Sequence, residues 1–280
     1  MVCPVCGADF TLTGPAGPGS GLRCATGHSF DVARHGYVNL MPGGAKAGTA
    51  DTAEMVAARA EFLDAGHYAP LAEALAAQSR AAAVPAGVVL DAGAGTGYYL
   101  AAVLAALRGR ASPAAVGLAM DISVRALRRA ARADARIGAI AWDTWQPFPI
   151  RPASVSLILN VFAPRNAPEF RRVLRPGGTL LVVTPTDAHL AELSGTAAPL
   201  TVDGQKDTRL AATLGPYFTP AARHTLAFPL HLSHGDAATL IAMGPSAHHT
   251  TPAATRARLA ARPTPIPVTA SFDLTTYRPR

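Results

Sequence analysis

One stretch restricts the fold more than any other: Val88-Val89-Leu90-Asp91-Ala92-Gly93-Ala94-Gly95-Thr96-Gly97-Tyr98-Tyr99. Three apolar residues read as a short buried strand. An acid and three alternating glycines follow, and then an Ala/Leu-rich run reads as a helix. Glycine reaches positive φ and lets a ligand approach the backbone. A helix start adds unpaired N–H groups and a partial positive charge. Strand, glycine turn and helix start in this order predict a ligand cradle at the edge of an α/β sheet. The bland alternative is a glycine turn in a chain rich in alanine and glycine.

The spacing narrows the ligand. The dinucleotide fingerprint is G-x-G-x-x-G. Here the third glycine comes one residue earlier, and Tyr98 stands where the dinucleotide glycine belongs. Asp91 lies two residues before the first glycine, where a carboxylate can orient an amino-acid ammonium. S-adenosylmethionine (SAM) has that ammonium and no pyrophosphate, so Asp91, Gly93, Gly95 and Gly97 fit SAM better than a dinucleotide, which stays the alternative. Downstream elements alternate. Strands are expected at 115–120, 137–142, 155–159 and 179–184, with helices at 98–107, over Arg125, Arg128, Arg129 and Arg132, and at 168–174. Such alternation predicts a doubly wound sheet with its ligand at the carboxyl edge of the strands. Asp121 at the second strand end suits ribose hydroxyls, Asp143 at the third suits the adenine, and Asn160-Val161-Phe162-Ala163-Pro164 borders the reacting end. His189, just past the fifth strand, is within reach of the same edge; a surface or capping role is its ordinary alternative.

All three cysteines fall in residues 1–40. Cys3-Pro4-Val5-Cys6 is a C-x-x-C, and Cys24-Ala25-Thr26-Gly27-His28 is a C-x-x-x-H, with seventeen residues between them. Two short knuckles joined by the Gly14–Gly21 loop bring Cys3, Cys6, Cys24 and His28 to one tetrahedral ion, and Cys3His is a closed structural zinc set. A segment this small folds around such an ion because its core is too small to suffice. A redox C-x-x-C is the alternative, and it leaves Cys24 and His28 unexplained. Phe30, Val32, Tyr37, Val38 and Leu40 are expected to cover the knuckle, and Arg34 and His35 to face a polyanion or merely solvent.

Residues 41–50 read as a linker. A helix then starts at Asp51 or Thr52, with Asp51 and Glu54 at capping-box spacing, and a second runs over 71–83. Beyond 185, a helix at 188–193 is expected. Strand-like runs at 223–232 and 267–277 are placed to pair as a hairpin, with helices at 237–243 and 250–262 between them.

The charged fraction is only 15%, yet the formal balance is +7 and the pI is about 9.8. Lys46 and Lys206 are the only lysines, so arginine supplies the excess. Genome bias explains part of this; arginine also binds phosphate through a planar fork. The arginines at 125, 128, 129 and 132 read first as a solvated helix face. No charged-then-apolar leader and no membrane-length apolar run occurs, so a soluble, cytoplasmic protein is expected.

Five segments in order carry a resemblance: CPVC…CATGHSFDVARHGYVNL, DTAEMVAARAEFLDAGHYAPL, DAGAGTGYY, NVFAPRN and RPGGTLLVVTPTDAHLAEL. The chain resembles the RlmA family of 23S rRNA (guanine-N1)-methyltransferases over residues 3–190 and less beyond. NVFAPRN and Asp143 are most similar to the macrolide-resistance branch of actinomycetes. The resemblance implies a Rossmann-like class I SAM-dependent methyltransferase with an N-terminal zinc module. Its substrate would be a guanine in the helix 35 hairpin of 23S rRNA, and its assembly a homodimer. It implies zinc ligation by Cys3, Cys6, Cys24 and His28, and cofactor contacts from Tyr68, Gly95, Thr96 and His189. Many relatives have an acid at position 96, so that contact departs from the pattern. The expected division is a zinc-binding RNA-recognition module (1–40), a linker with helices (41–86) and the methyltransferase domain (87–280). Rival readings are a small-molecule methyltransferase and a non-catalytic zinc-containing RNA-binding protein.

Overall fold

The computed structural model describes residues 1–15, 19–43, 51–82, 87–109, 114–194, 206–244 and 251–280. The expected linker at 41–50 falls mostly outside them, as does part of the loop between the knuckles.

The N-terminal segment is a three-stranded antiparallel ribbon of β1 (Phe10–Thr13), β2 (Gly21–Cys24) and β3 (Ser29–Asp31). Its two metal knuckles are tight turns. Gly7 N donates to Cys3 O at 2.8 Å, and Gly27 N donates to Cys24 O at 3.0 Å. Both turns close on a glycine at positive φ, +73° and +93°, which is why a glycine follows the C-x-x-C directly and another stands inside the C-x-x-x-H.

The strand that follows, β4 (Tyr37–Asn39), leaves the ribbon. It pairs in parallel with β7 (Ile137–Ala141) at the edge of an eight-stranded sheet. The expectation that Tyr37, Val38 and Leu40 cover the knuckle is therefore corrected. Val38 and Leu40 are buried against Ile140, Trp142 and Phe148, with Phe10, Leu22, Phe30 and Val32 packed on the same cluster. An edge strand with a free hydrogen-bonding side outcompetes solvent for these apolar residues, and the ribbon is seated on the sheet through them.

Helix α1 (Ala53–Asp64) and α2 (Ala69–Ala81) lead to β5 (Val88–Ala92). The cap of α1 is Thr52, whose hydroxyl accepts from Met55 N at 3.2 Å. Asp51 does not cap; it pairs with Arg59. The chain then alternates through α3 (Tyr98–Ala106), β6 (Val116–Asp121), α4 (Val124–Ala133), β7, β8 (Val155–Val161), α5 (Ala167–Val173) and β9 (Leu174–Pro185). Helix α6 (Lys206–Leu214) precedes β10 (Phe218–Leu232), α7 (His234–Ala242), α8 (Pro252–Ala260) and β11 (Ile266–Pro279). The sheet order is β10-β11-β9-β8-β5-β6-β7-β4. From β4 to β9 the pairings are parallel; β11 enters antiparallel beside β9 and pairs with β10 as the expected hairpin. Every residue of β8 is buried, as a central parallel strand covered on both faces requires.

Two details differ from expectation. Arg175-Pro176-Gly177-Gly178 does not precede the fifth strand but bulges within it: the ladder passes from Val155/Leu174 to Leu157/Thr179. The helix expected at 188–193 shrinks to a 3₁₀ turn, Ala191–Leu193, because Leu190 at φ +57° interrupts the helical path. Among the described residues no helix is long and apolar enough to cross a membrane.

Candidate active site and metal centre

Strand order reverses at β5, whose neighbours are β6 and β8. The chain therefore opens a crevice at the carboxyl end of β5, where such sheets bind ligands. The glycine loop fills that point. Gly93 N and Ala94 N donate to Met120 O at 2.8 and 3.1 Å, and Gly95 N donates to an Asp121 carboxylate oxygen at 2.8 Å. The other Asp121 oxygen accepts from Ser123 N at 2.7 Å. All three glycines have positive φ, and two have no room for a side chain. A Cβ on Gly93 would lie 2.3 Å from Ala163 Cβ, and one on Gly97 2.8 Å from Ala130 Cα.

Asp91, next to last in β5, is 1% exposed, and its Oδ1 is buried without a hydrogen-bond partner. Burial, and then the charge of Asp121, pushes its carboxyl up to about 8. Burial also raises Asp121, against the pull of its two backbone donors. Asn160, fully buried at the end of β8, ties the two loops together: its Nδ2 donates to Ala92 O at 3.2 Å and to Pro164 O at 2.9 Å, while Oδ1 has no partner. Thr96 is half-buried and lines a cleft of about 690 Å³ with Tyr98, Arg129 and Arg132. Asp143 stands at the tip of β7, its carboxylate accepting from Trp145 N at 2.9 Å within its own turn.

Tyr68 and His189, distant in sequence, meet beside this edge. The Tyr68 hydroxyl is 3.4 Å from His189 Nε2, and Ser271 N donates to His189 Nδ1 at 3.2 Å. With Nδ1 accepting, the proton sits on Nε2 and points to the Tyr68 oxygen. Burial raises the Tyr68 hydroxyl well above its usual range.

Sequence reasoning did not single out Phe272 or Arg59 here, and it placed Phe162 in the bordering segment without foreseeing its backbone. Phe272, from β11, stacks against Tyr68, His189 and Phe162 at 5.2, 4.6 and 5.3 Å. Phe162 has φ +54° and remains 44% exposed, an outlier for a bulky residue. The Arg59 guanidinium sits 3.6 Å from where a Gly95 Cβ would be and donates to Met243 O at 2.9 Å. Arg59 lies on the helix expected to start at Asp51 or Thr52, but nothing local in the sequence points it at the loop.

In the ribbon, one ligand atom from each of Cys3, Cys6, Cys24 and His28 lies within 4.8 Å of every other. Cys6 Sγ is 3.7 Å from Cys24 Sγ, and His28 Nδ1 is 3.4 Å from the same sulfur. A tetrahedral zinc with bonds of about 2.0–2.3 Å needs edges of roughly 3.5–3.8 Å. Thr26 Oγ1, another residue not anticipated, lies 2.9 Å from Cys6 Sγ and 3.1 Å from Cys24 Sγ. Burial works against ionisation of Cys24, but bonds from Thr26, His28 and Cys6 bring its thiol down to about 6.

Comparison with known proteins decides the family. Residues 1–48 match the zinc-ribbon model described as RlmA, N-terminal. A protein of Micromonospora griseorubida bearing the name 23S rRNA (guanine-N(1)-)-methyltransferase is 52% identical over 99% of this chain and 96% of its own. The chain belongs to the 23S rRNA (guanine-N1)-methyltransferases. A Streptomyces fradiae member, named 23S rRNA (guanine(748)-N(1))-methyltransferase, is 46% identical over the same shares. A Bacillus subtilis member is 33% identical over 68% of this chain and 66% of its own. The enzyme's cofactor is thus SAM, and its crevice fits that group. The unsatisfied Asp91 Oδ1 is an acceptor for an ammonium, and the glycine loop exposes backbone rather than side chains. The donor set of the ribbon fits zinc in its ligand chemistry, with the Cys6–Cys24 and Cys24–His28 edges near the length a tetrahedral site needs.

Proposed function

We propose that this enzyme methylates N1 of a guanine in the helix 35 hairpin of 23S rRNA and thereby confers macrolide resistance. The observation carrying the reading is the buried Asp91 carboxyl beside the glycine loop, its Oδ1 without a partner, in a chain whose near-full-length relatives are named for this reaction. The name of the Streptomyces fradiae relative specifies guanine 748, and we assign the corresponding base here.

Asp91 holds the amino-acid ammonium, Asp121 the ribose and Asp143 the adenine side, with the Gly93–Gly97 backbone beneath. Tyr68 and His189 close the opposite wall as one hydrogen-bonded pair. SAM, when bound, supplies an electrophilic methyl, and guanine N1 accepts it with loss of its own proton. A neutral guanine N1 is a weak nucleophile, so positioning carries much of the rate. Asn160 Oδ1 offers an acceptor at that edge. The exposed face of Phe162 offers a stacking surface for a base taken out of its pair, since pairing hides N1. A strained backbone under a half-exposed ring fits a functional position. Cys3, Cys6, Cys24 and His28 hold zinc, and the ribbon grips RNA in the cytoplasm.

The test is incubation of purified enzyme with methyl-labelled SAM and a helix 35 hairpin transcript, followed by primer extension. One stop at a single hairpin guanine, absent with Asp91→Ala, is the expected result. SAM binding without transfer to this hairpin or to 23S rRNA overturns the proposal. For Phe162, replacement by Ala is expected to lower kcat at least tenfold, with Tyr restoring most of it and SAM affinity unchanged.

A further inference from the structure

Helix α4 carries Arg125, Arg128, Arg129 and Arg132 at i, i+3, i+4 and i+7 of one face, all four exposed. Each has like-charged neighbours at helical contact spacing, which disfavours the helix on its own. The opposite face, Ala126, Leu127 and Ala130, is buried, so the charges cannot be spread by rotation.

A distant segment adds to them. The turn between β3 and β4 lies against the C-terminal end of α4, where a Cβ on Gly36 would sit 3.3 Å from Ala131 Cβ. There the Arg132 guanidinium meets His35 Nδ1, and Arg34 Nε donates to His35 Nε2 at 3.1 Å. Burial, then the charges of Arg34, Arg132 and Arg128, hold His35 below its ordinary range. A neutral imidazole has one acceptor nitrogen, so the ring accepts from only one of these two guanidiniums at a time.

Six arginines elsewhere pair with acids, although others among the described residues, such as Arg23, Arg80 and Arg256, do not. Arg59 has Asp51, Arg108 and Arg136 share Asp134, Arg151 has Asp9, Arg172 has Glu169, and Arg223 has Asp207 and Asp273. Among the described residues, Arg34, Arg125, Arg128, Arg129 and Arg132 enter no such ion pair; Glu54 on α1 feels the field of Arg125 without bonding it. Abundant arginine explains the number of guanidiniums but not the gathering of unpaired ones in one place.

The stripe also has a direction. Its ten-residue helix spans about 15 Å. It starts at the cofactor edge, where Ser123 N bonds Asp121, and ends at the turn leading out of the ribbon. We propose that α4 and the β3–β4 turn form one phosphate-binding rail that grips the RNA backbone between the zinc ribbon and the methyl-transfer site. The occupant is nucleic-acid phosphate, because planar guanidinium forks recognise it and salt-exposed positive charge gains from displacing its counterions. The inference rests on the proposed RNA substrate.

The test measures hairpin binding by the full-length, zinc-loaded enzyme across salt concentrations. A double variant, R125Q/R128Q, is compared with R80Q/R209Q, which removes two exposed arginines away from the rail. The rail variant is expected to lower the slope of log affinity against log salt by about 1.5–2 and to weaken binding roughly 10- to 100-fold at 0.1 M salt. The control is expected to do neither, and SAM affinity and thermal midpoint should hold in both. Arg34→Gln is expected to lower the slope by about one more. Equal slopes for rail and control overturn the proposal. Because the readout is binding, a wild type that binds the hairpin but leaves it unmethylated sinks the methylation reading, while the two variants still decide the rail.

Discussion

The zinc cluster and the glycine crevice are both ligand sites, built in opposite ways. The ribbon's strands are largely exposed, β1 and β3 burying little, and Cys6 itself faces solvent. Its four ligands converge through two turns and depend on an ion to stay together. The crevice is held by the core: Asp91 and Asn160 are buried, β8 is covered on both faces, and the loop's amides are bound to Met120 and Asp121. One site is folded by its ligand; the other is folded in advance and waits for it.

Removing the metal breaks this comparison most sharply. Structural zinc contributes on the order of 10 kcal/mol to domains of this kind. Chelation, or Cys24→Ser, is expected to lower hairpin methylation at least a hundredfold while SAM affinity, read by calorimetry, changes less than about threefold. Parallel losses of both would mean that ribbon and sheet fold as one unit through β4.

Next comes the charge in the crevice. Asp91→Asn is expected to weaken SAM roughly 10- to 100-fold, the range of a lost charge-assisted bond. The sign with pH follows from burial. In the unfolded chain an aspartate ionises near 4, whereas in the enzyme Asp91 holds its proton up to about 8. Its contribution to stability is therefore present in full below about pH 4 and is lost as pH rises toward 8. A cationic ligand favours the ionised form, so SAM binding at pH 7 should release about one proton. Calorimetry in two buffers of different ionisation enthalpy checks this; release undiminished in Asp91→Asn would move the linkage to another group.

The smallest effect separates two glycines with nearly the same backbone. Gly7 in the ribbon and Gly97 in the crevice have φ +73° and +79°. A Cβ on Gly7 meets nothing within 4 Å, whereas one on Gly97 strikes Ala130. Gly7→Ala should destabilise by about 1–2 kcal/mol from the backbone alone. Gly97→Ala adds overpacking of about 1–3 kcal/mol. Equal shifts in thermal midpoint would mean that the loop moves aside freely.

Much of this was legible along the chain. The glycine spacing and the β-α alternation announced the sheet because helix and strand periods are local properties. Cys3, Cys6, Cys24 and His28 declared themselves by spacing. What escaped was set by long-range contact. Nothing near Phe272 says that it will stack on Tyr68 and His189, and nothing near Phe162 says that its backbone will turn left-handed. Asp51 had the right spacing for a cap, yet Thr52 took that role and Asp51 went to Arg59.

The residues alone determined which chemistry was available: an acid and three glycines for a cofactor, three cysteines and a histidine for an ion, an excess of arginine for a polyanion. The tertiary structure decided which of those groups act together. β4 joins the large sheet by backbone pairing, and that docking seats the ribbon and brings His35, bonded by Arg34, against Arg132 of α4. Periodicity is written residue by residue. Partners across a sheet are chosen by which edge is open and which surface can be buried, and those choices belong to the whole fold.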